Sequence, residues 1–253
     1  MCDACGCAGD SDHFHVSDAT IRGVPFMRAD VHQALLAGND QQAAHNRAHF
    51  DAADTFVVNL MSSPGAGKTS LLEATIRALQ GRLTIAVIEG DLETENDARR
   101  IRAAGALAVQ ITTGNACHLD AAMVHAALHS LDLGPIDVLF IENVGNLVCP
   151  ACFELGQHRN VVLLSVTEGD DKPEKYPVMF RVADVMAVTK LDLLQAVGDF
   201  DPALAERHLR NLASAAPVLE LSARSGAGMA AWIGWLVEQR AARRVRQAEH
   251  VHG

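Results

Sequence analysis

Seven short apolar runs recur along the chain, at Phe56 to Met61, Leu83 to Ile88, Leu107 to Ile111, Asp137 to Ile141, Val161 to Val166, Val185 to Val188 and Val218 to Leu221. Each is too short for a helix and lacks the strict alternation of a half-exposed strand, and segments of helical length separate them. Continuous apolar strands alternating with helices predict a parallel sheet covered on both faces. Ahead of the first run, the spacing of Val31, Leu35, Leu36, Ala43 and Phe50 is loosely helical, and its interruption near Gly38-Asn39 predicts two helices packed on the main domain. A last helix is expected from about Gly228, carrying Trp232, Ile233, Leu236 and Val237 inward.

The first 28 residues break this pattern. They carry Gly6, Gly9, Gly23 and scattered Asp and His without apolar periodicity, which predicts a flexible tail (residues 1–28) ahead of one α/β domain (29–253) with a helical N-terminal extension.

Directly after the first predicted strand comes Ser62-Ser63-Pro64-Gly65-Ala66-Gly67-Lys68-Thr69, leading into an apolar helix at Ser70-Leu71-Leu72. Strand, glycine-rich loop and helix in that order make a phosphate site. Backbone N–H groups of Gly65, Ala66 and Gly67 converge on anionic oxygens at a helix N-terminus, Lys68 places a charge near the β- and γ-phosphates, and Thr69 offers a hydroxyl to Mg²⁺. Ser62 stands where the usual pattern has its first glycine. Thr189-Lys190-Leu191-Asp192, after the sixth strand, supplies a carboxylate able to accept from both donors on the guanine edge, whereas adenine would leave that acid unpaired. GTP and GDP are therefore the expected nucleotides. Thr189 departs from the commoner Asn, and Ser222-Ala223 fits a loop closing over the base. Asp91 and Glu142 end the second and fourth strands, where ligands of open α/β sheets sit, and are candidates to hold Mg²⁺; Gly145 offers an N–H to the γ-phosphate.

Composition narrows the function further. A formal charge of −10 over 253 residues opposes nucleic-acid binding; the one basic stretch, Arg240 to Arg246, reads as a solvated helix end. No run reaches the ~18 apolar residues of a membrane span, and the N-terminus lacks a signal pattern, so a cytoplasmic protein is expected. The six cysteines, at positions 2, 5, 7, 117, 149 and 152, cluster in a manner that points to metal ligation in a reducing compartment. Three thiolates at Cys2, Cys5 and Cys7 can wrap one ion; with a free α-amine on Cys2 the donor set suits square-planar Ni(II), while Zn(II) would prefer a tetrahedral arrangement. Cys117 and His118 offer sulfur and imidazole nitrogen from one loop, and Cys149 follows Gly145 by four residues.

Taken in order, Cys2-x-x-Cys5-Gly6-Cys7, the phosphate loop, Glu89-Gly90-Asp91, Gly114-Asn115-Ala116-Cys117-His118-Leu119-Asp120, Glu142-Asn143-Val144-Gly145-Asn146-Leu147-Val148-Cys149-Pro150 and Thr167-Glu168-Gly169-Asp170-Asp171-Lys172-Pro173 resemble the HypB family. The resemblance implies a P-loop GTPase that delivers Ni²⁺ to [NiFe]-hydrogenase, and a homodimer with Ni²⁺ or Zn²⁺ at Cys117, His118 and Cys149. It also implies a HypA-type nickel chaperone and the hydrogenase large subunit as partners. A nickel buffer or sensor, whose affinity nucleotide merely sets, is the alternative; a phosphate-loop kinase is disfavoured by Asp192. Slow intrinsic hydrolysis is expected, because Asn146 stands where small GTPases use a water-positioning Gln and no arginine finger is evident.

Overall fold

The computed structural model describes residues 28–91, 95–114 and 116–251, with side chains from residue 34 to residue 247. Cys2, Cys5, Cys7, His13 and His15 lie outside the described residues.

Seven strands form a single parallel sheet: β1 (Phe56–Ser62), β2 (Ile85–Asp91), β3 (Leu107–Thr112), β4 (Val138–Glu142), β5 (Arg159–Ser165), β6 (Val185–Thr189) and β7 (Val218–Glu220). The spatial order is β3-β2-β4-β1-β5-β6-β7, and every pairing is parallel. All seven apolar runs of the sequence are strands, shifted by at most three residues at their ends. The four central ones, β1, β4, β5 and β6, are buried almost throughout, as strands covered on both faces must be.

The connecting helices are α1 (Arg28–Ala52), α2 (Lys68–Leu79), α3 (Asn96–Ala104), α4 (Ala121–Leu128), the short α5 (Lys172–Lys175), α6 (Pro177–Arg181) and α7 (Leu194–Val197), then α8 (Pro202–Asn211) and α9 (Met229–Val251). On one face, α2 and α9 bury Leu71, Leu72, Ile76, Leu79, Trp232 and Leu236 against the sheet. The Trp232 indole N–H donates to Thr75 Oγ1 at 2.8 Å, so the one polar atom of this ring is satisfied inside the core. On the other face, Phe50 of α1 and Val124 and Leu128 of α4 cover Val57, Ile88 and Ile141.

Two features differ from what the sequence suggests. The N-terminal segment is one continuous helix and not two. Gly38-Asn39 does not interrupt it, because Asn39 is held from outside: its Oδ1 accepts from Ala121 N at 2.9 Å and its Nδ2 donates to Glu154 O at 2.8 Å. About two turns further along, the buried Asn46 donates to Ala121 O and Leu155 O. These bonds offset the low helix propensity of Gly and Asn. The basic stretch of α9 is likewise no solvated helix end. Arg243 is 6% exposed and pairs with Asp51 and Asp54, and Arg240 pairs with Asp137, so these arginines fasten α9 to α1 and to the entry of β4.

Candidate active site and metal-binding cluster

β1 sits at the point where the strand order reverses, with β4 on one side and β5 on the other, so the loop leaving its carboxyl end faces a crevice. That loop is the glycine-rich segment, and α2 begins at Lys68 with Gly67 as its N-cap at φ 99°. No side chain caps the helix, which leaves its first N–H groups for a ligand. Ser62 is buried; its hydroxyl donates to Ser63 O at 2.6 Å and accepts from Lys68 Nζ at 3.2 Å, a hold that glycine could not provide. Glu168 braces the same loop by accepting from the Ser63 hydroxyl and from Ser165 N.

A cavity of about 430 Å³ opens over this loop, and Gly65, Gly67, Lys68, Thr69, Ser70, Asp91, Glu142 and Gly145 all line it. Inside it, carboxyl oxygens of Glu89, Asp97 and Glu142 lie within 4.8 Å of one another. Thr69 Oγ1 donates to Glu142 Oε1 at 2.9 Å, while Oε2 of Glu142 and Oε2 of Glu89 are buried without a hydrogen-bond partner. Burial, then the neighbouring Glu142 charge, pushes the Glu89 carboxyl up to about 11, so it stays protonated at neutral pH. Burial raises Glu142 as well, against the opposing pull of Lys68. Orphaned buried carboxyl oxygens beside a threonine hydroxyl fit a hard divalent cation. Asp91 lines the cavity but stands outside this close carboxylate group, whereas Glu89 and Asp97 belong to it. Neither stands out in the sequence: Asp97 lies in a helix whose position over the loop is a tertiary fact, and Glu89, one residue past the apolar run, is buried only through the packing of β2.

A second cavity, of about 280 Å³, adjoins the first and is lined by Ala66, Gly67, Ser70, Thr189, Lys190, Asp192, Ser222 and Ala223, among others. Asp192 Oδ1 accepts from Ser222 Oγ at 2.5 Å, which orients the carboxylate on the pocket wall. Thr189 Oγ1 donates to Ala66 O at 2.7 Å, so the residue that departs from the usual Asn still ties the base-binding segment to the phosphate loop. The two cavities together have the shape of a nucleotide site, base pocket beside phosphate cradle, in one continuous crevice.

Beyond the phosphate cavity, Cys117, His118 and Cys149 come together with all three ligand atoms within 4.8 Å. The Cys117 and Cys149 sulfurs are 3.0 Å apart and Cys117 Sγ is 3.6 Å from His118 Nδ1. Burial holds His118 below its usual range, partly offset by Asp120, so its imidazole is neutral and competent as a ligand at pH 7. Phe153 stacks on the His118 ring at 3.9 Å between centroids and fixes its plane, a role no sequence signal indicates. Cys152 lies half-buried in the turn Cys149–Cys152 and is not part of this group.

Residues 55–220 match the family model described as CobW/HypB/UreG, nucleotide-binding domain. The chain belongs to the HypB family. It is 54% identical over 213 residues to the hydrogenase maturation factor HypB of Azotobacter vinelandii, covering 84% of this chain and 70% of that protein, and 48% identical to the Escherichia coli K12 protein over 84% and 73%. Among solved structures, HypB from Helicobacter pylori in complex with nickel superposes with a TM-score of 0.78 at 40% identity, covering 81% of this chain and 96% of that one. HypB from Archaeoglobus fulgidus gives 0.75 at 39% identity, covering 81% and 100%. This HypB-family chain is thus a P-loop GTPase of hydrogenase maturation, and among its described residues no helix is long and apolar enough to cross a membrane.

Proposed function

We propose that GTP binding and hydrolysis in this chain control a nickel site at Cys117, His118 and Cys149, from which Ni(II) is released for hydrogenase maturation. The observation that carries this reading is one side chain. Asn146, next to Gly145 at the phosphate cavity, donates through Nδ2 to the Cys117 carbonyl at 3.3 Å and accepts from Val148 N at 2.7 Å. Asn143, on the same segment, accepts from Leu119 N at 3.1 Å. A segment that lines the phosphate cavity at one end and bears Cys149 at the other is therefore hydrogen-bonded to the loop bearing Cys117 and His118. A movement of Gly145 toward a γ-phosphate is passed along the segment to Cys149 and through Asn146 to the loop of Cys117 and His118.

Asn146 has both amide atoms engaged in this bracing, which supports slow intrinsic turnover, on the order of 10⁻⁴ to 10⁻² s⁻¹. Lys68 and the N–H groups of the glycine loop orient the β- and γ-phosphates, and Asp192 selects guanine. Thr69 and Glu142, with Glu89 behind them, would hold Mg²⁺, which supplies charge neutralisation at the β- and γ-phosphates. Sulfur and imidazole donors suit Ni(II) or Zn(II) as cargo. Val148, an exposed apolar side chain beside Cys149, offers the contact for a second copy of the chain, so a homodimer would place two such clusters face to face. In the same reading, Cys2, Cys5 and Cys7 form a separate nickel site, and a HypA-type chaperone and the hydrogenase large subunit are the partners in transfer.

The test is a nickel titration of the chain with Cys2, Cys5 and Cys7 replaced by Ala, in the GDP state and with a non-hydrolysable GTP analogue. Affinities differing by roughly 5- to 150-fold are expected, with a reciprocal change in relative nucleotide affinity. Identical isotherms would reduce the cluster to a static metal clip.

A further inference from the structure

Four histidines crowd one place on the surface where α1 and α4 pack together. His45 and His49 are spaced i, i+4 on α1, and His125 of α4 is followed at i+4 by His129, the C-cap of that helix in αR backbone, so each pair lies on one face. The ring centroids of His45 and His49 are 4.5 Å apart, those of His45 and His125 5.0 Å, those of His49 and His125 5.7 Å, and those of His125 and His129 5.0 Å. One ring nitrogen from each of His45, His49 and His125 falls within 4.8 Å of the others. The GTPase chemistry makes no use of these residues, and the Cys117 cluster shares none of them.

The tautomer of the innermost ring is set by its surroundings. Asn46 is buried, and its Nδ2 donates to the Ala121 and Leu155 carbonyls, which leaves Oδ1 as an acceptor. His125 Nδ1 lies 3.1 Å from that oxygen and must be the N–H donor, so the lone pair is on Nε2. A ligand histidine whose second nitrogen is held by a buried carbonyl-type oxygen is the arrangement found behind metal-bound imidazoles, where the partner fixes both ring orientation and proton. His45 and His49 are exposed and free to turn. Two nitrogens bound to one ion at ~2.1 Å lie at most ~4.2 Å apart, so small rotations of these rings close the present spacing. His45 Nδ1 has a long polar contact, 3.3 Å from Gln42 Nε2.

We infer that His45, His49 and His125 form an additional binding site for a borderline divalent transition cation, Ni(II) or Zn(II), on the α1–α4 face, with His129 at its edge. An all-imidazole set of this kind favours such ions over Mg²⁺ or Ca²⁺, which take oxygen ligands. α4 starts three residues after His118, so the site lies one helix away from the thiolate cluster and can hold a cation near it without sharing a ligand.

The test is made on the full chain with Cys2, Cys5, Cys7, Cys117 and Cys149 replaced by Ser, loaded with GDP, so that its outcome is independent of the thiolate site. Titration with NiCl2 should show one bound ion whose X-ray absorption reports nitrogen and oxygen ligands with imidazole scattering. Adding His49→Gln and His125→Gln should weaken this binding at least tenfold, while GDP affinity stays unchanged as the sign of an intact fold. In the unsubstituted chain, ring-proton signals of His45, His49 and His125 should broaden selectively on adding Ni(II), after the thiolate sites are filled. A chain lacking these five thiols that binds no nickel, nickel binding indifferent to both substitutions, or broadening confined to other histidines would overturn the inference.

Discussion

Gly145 is seated against Pro64 so closely that a Cβ built on it would fall 2.8 Å from Pro64 Cα and 2.9 Å from Pro64 N. The segment between β4 and Cys149 thus touches the phosphate loop through bare backbone. Gly145→Ala must push the two apart, at a cost of ~1–3 kcal/mol if the fold absorbs it locally. The expected outcome is loss of GTP hydrolysis by at least tenfold and loss of the difference in nickel affinity between nucleotide states, with nickel still bound. Wild-type coupling in this variant, measured by the same titrations, would mean that the contact does not transmit the nucleotide state.

Asp192 faces the base pocket with its carboxylate oriented by Ser222. Asp192→Asn should weaken GTP relative to xanthosine triphosphate, because the amide donates to the xanthine 2-oxygen where the carboxylate would repel it. Competition binding measures the switch. An unchanged base preference would remove Asp192 from base recognition.

Glu142 and Asp91 both line the phosphate cavity, but only Glu142 receives the Thr69 hydroxyl and joins the close carboxylate group. Glu142→Gln keeps an acceptor for Thr69 and removes the charge. It should raise the Mg²⁺ concentration needed for hydrolysis and lower turnover by ~10²–10³. Asp91→Asn should have the smaller effect in the same assay; the reverse order would assign the ion to Asp91.

His158 joins α1 to β1. Its Nδ1 accepts from Val57 N at 2.9 Å, and its Nε2 lies 3.0 Å from Asp51 Oδ1 and 2.8 Å from Arg243 Nε. Burial first of all holds the ring down to about 4, and protonating Nδ1 would break the Val57 bond. The unfolded chain therefore binds more protons than the folded one between pH ~6.5 and about 4, and stability falls as pH is lowered through that window. A shift from 6.5 to about 4 corresponds to a full loss on the order of 3 kcal/mol. Urea unfolding at pH 7 and pH 4.5 should show it, and His158→Gln should flatten the dependence between those values. An equally steep variant would place the acid sensitivity elsewhere.

The order of local signals was sufficient for the sheet, for the phosphate loop and for the pairing of Cys117 with His118, because each depends on neighbours within a few residues. A buried parallel strand needs an apolar run, a phosphate loop needs its glycines and lysine in sequence, and both are complete in the chain as written. Other features arise only where distant segments meet. Gly38-Asn39 reads as a break, and the contacts of Asn39 and Asn46 with Ala121, Glu154 and Leu155 offset it in α1. Arg243 reads as solvated, and is buried because Asp51 and Asp54 lie across from it. Glu89 reads as a strand residue beside the more conspicuous Asp91, yet burial and the opposing Glu142 make it the strongly perturbed acid of the crevice. The histidines of α1 and those in and at the end of α4, some eighty residues apart, become neighbours through the packing of two helices. Sequence spacing determines what one stretch of backbone can do; burial, charge pairing and convergence of ligands belong to the tertiary structure, since their energies depend on through-space distance, which separation along the chain does not encode.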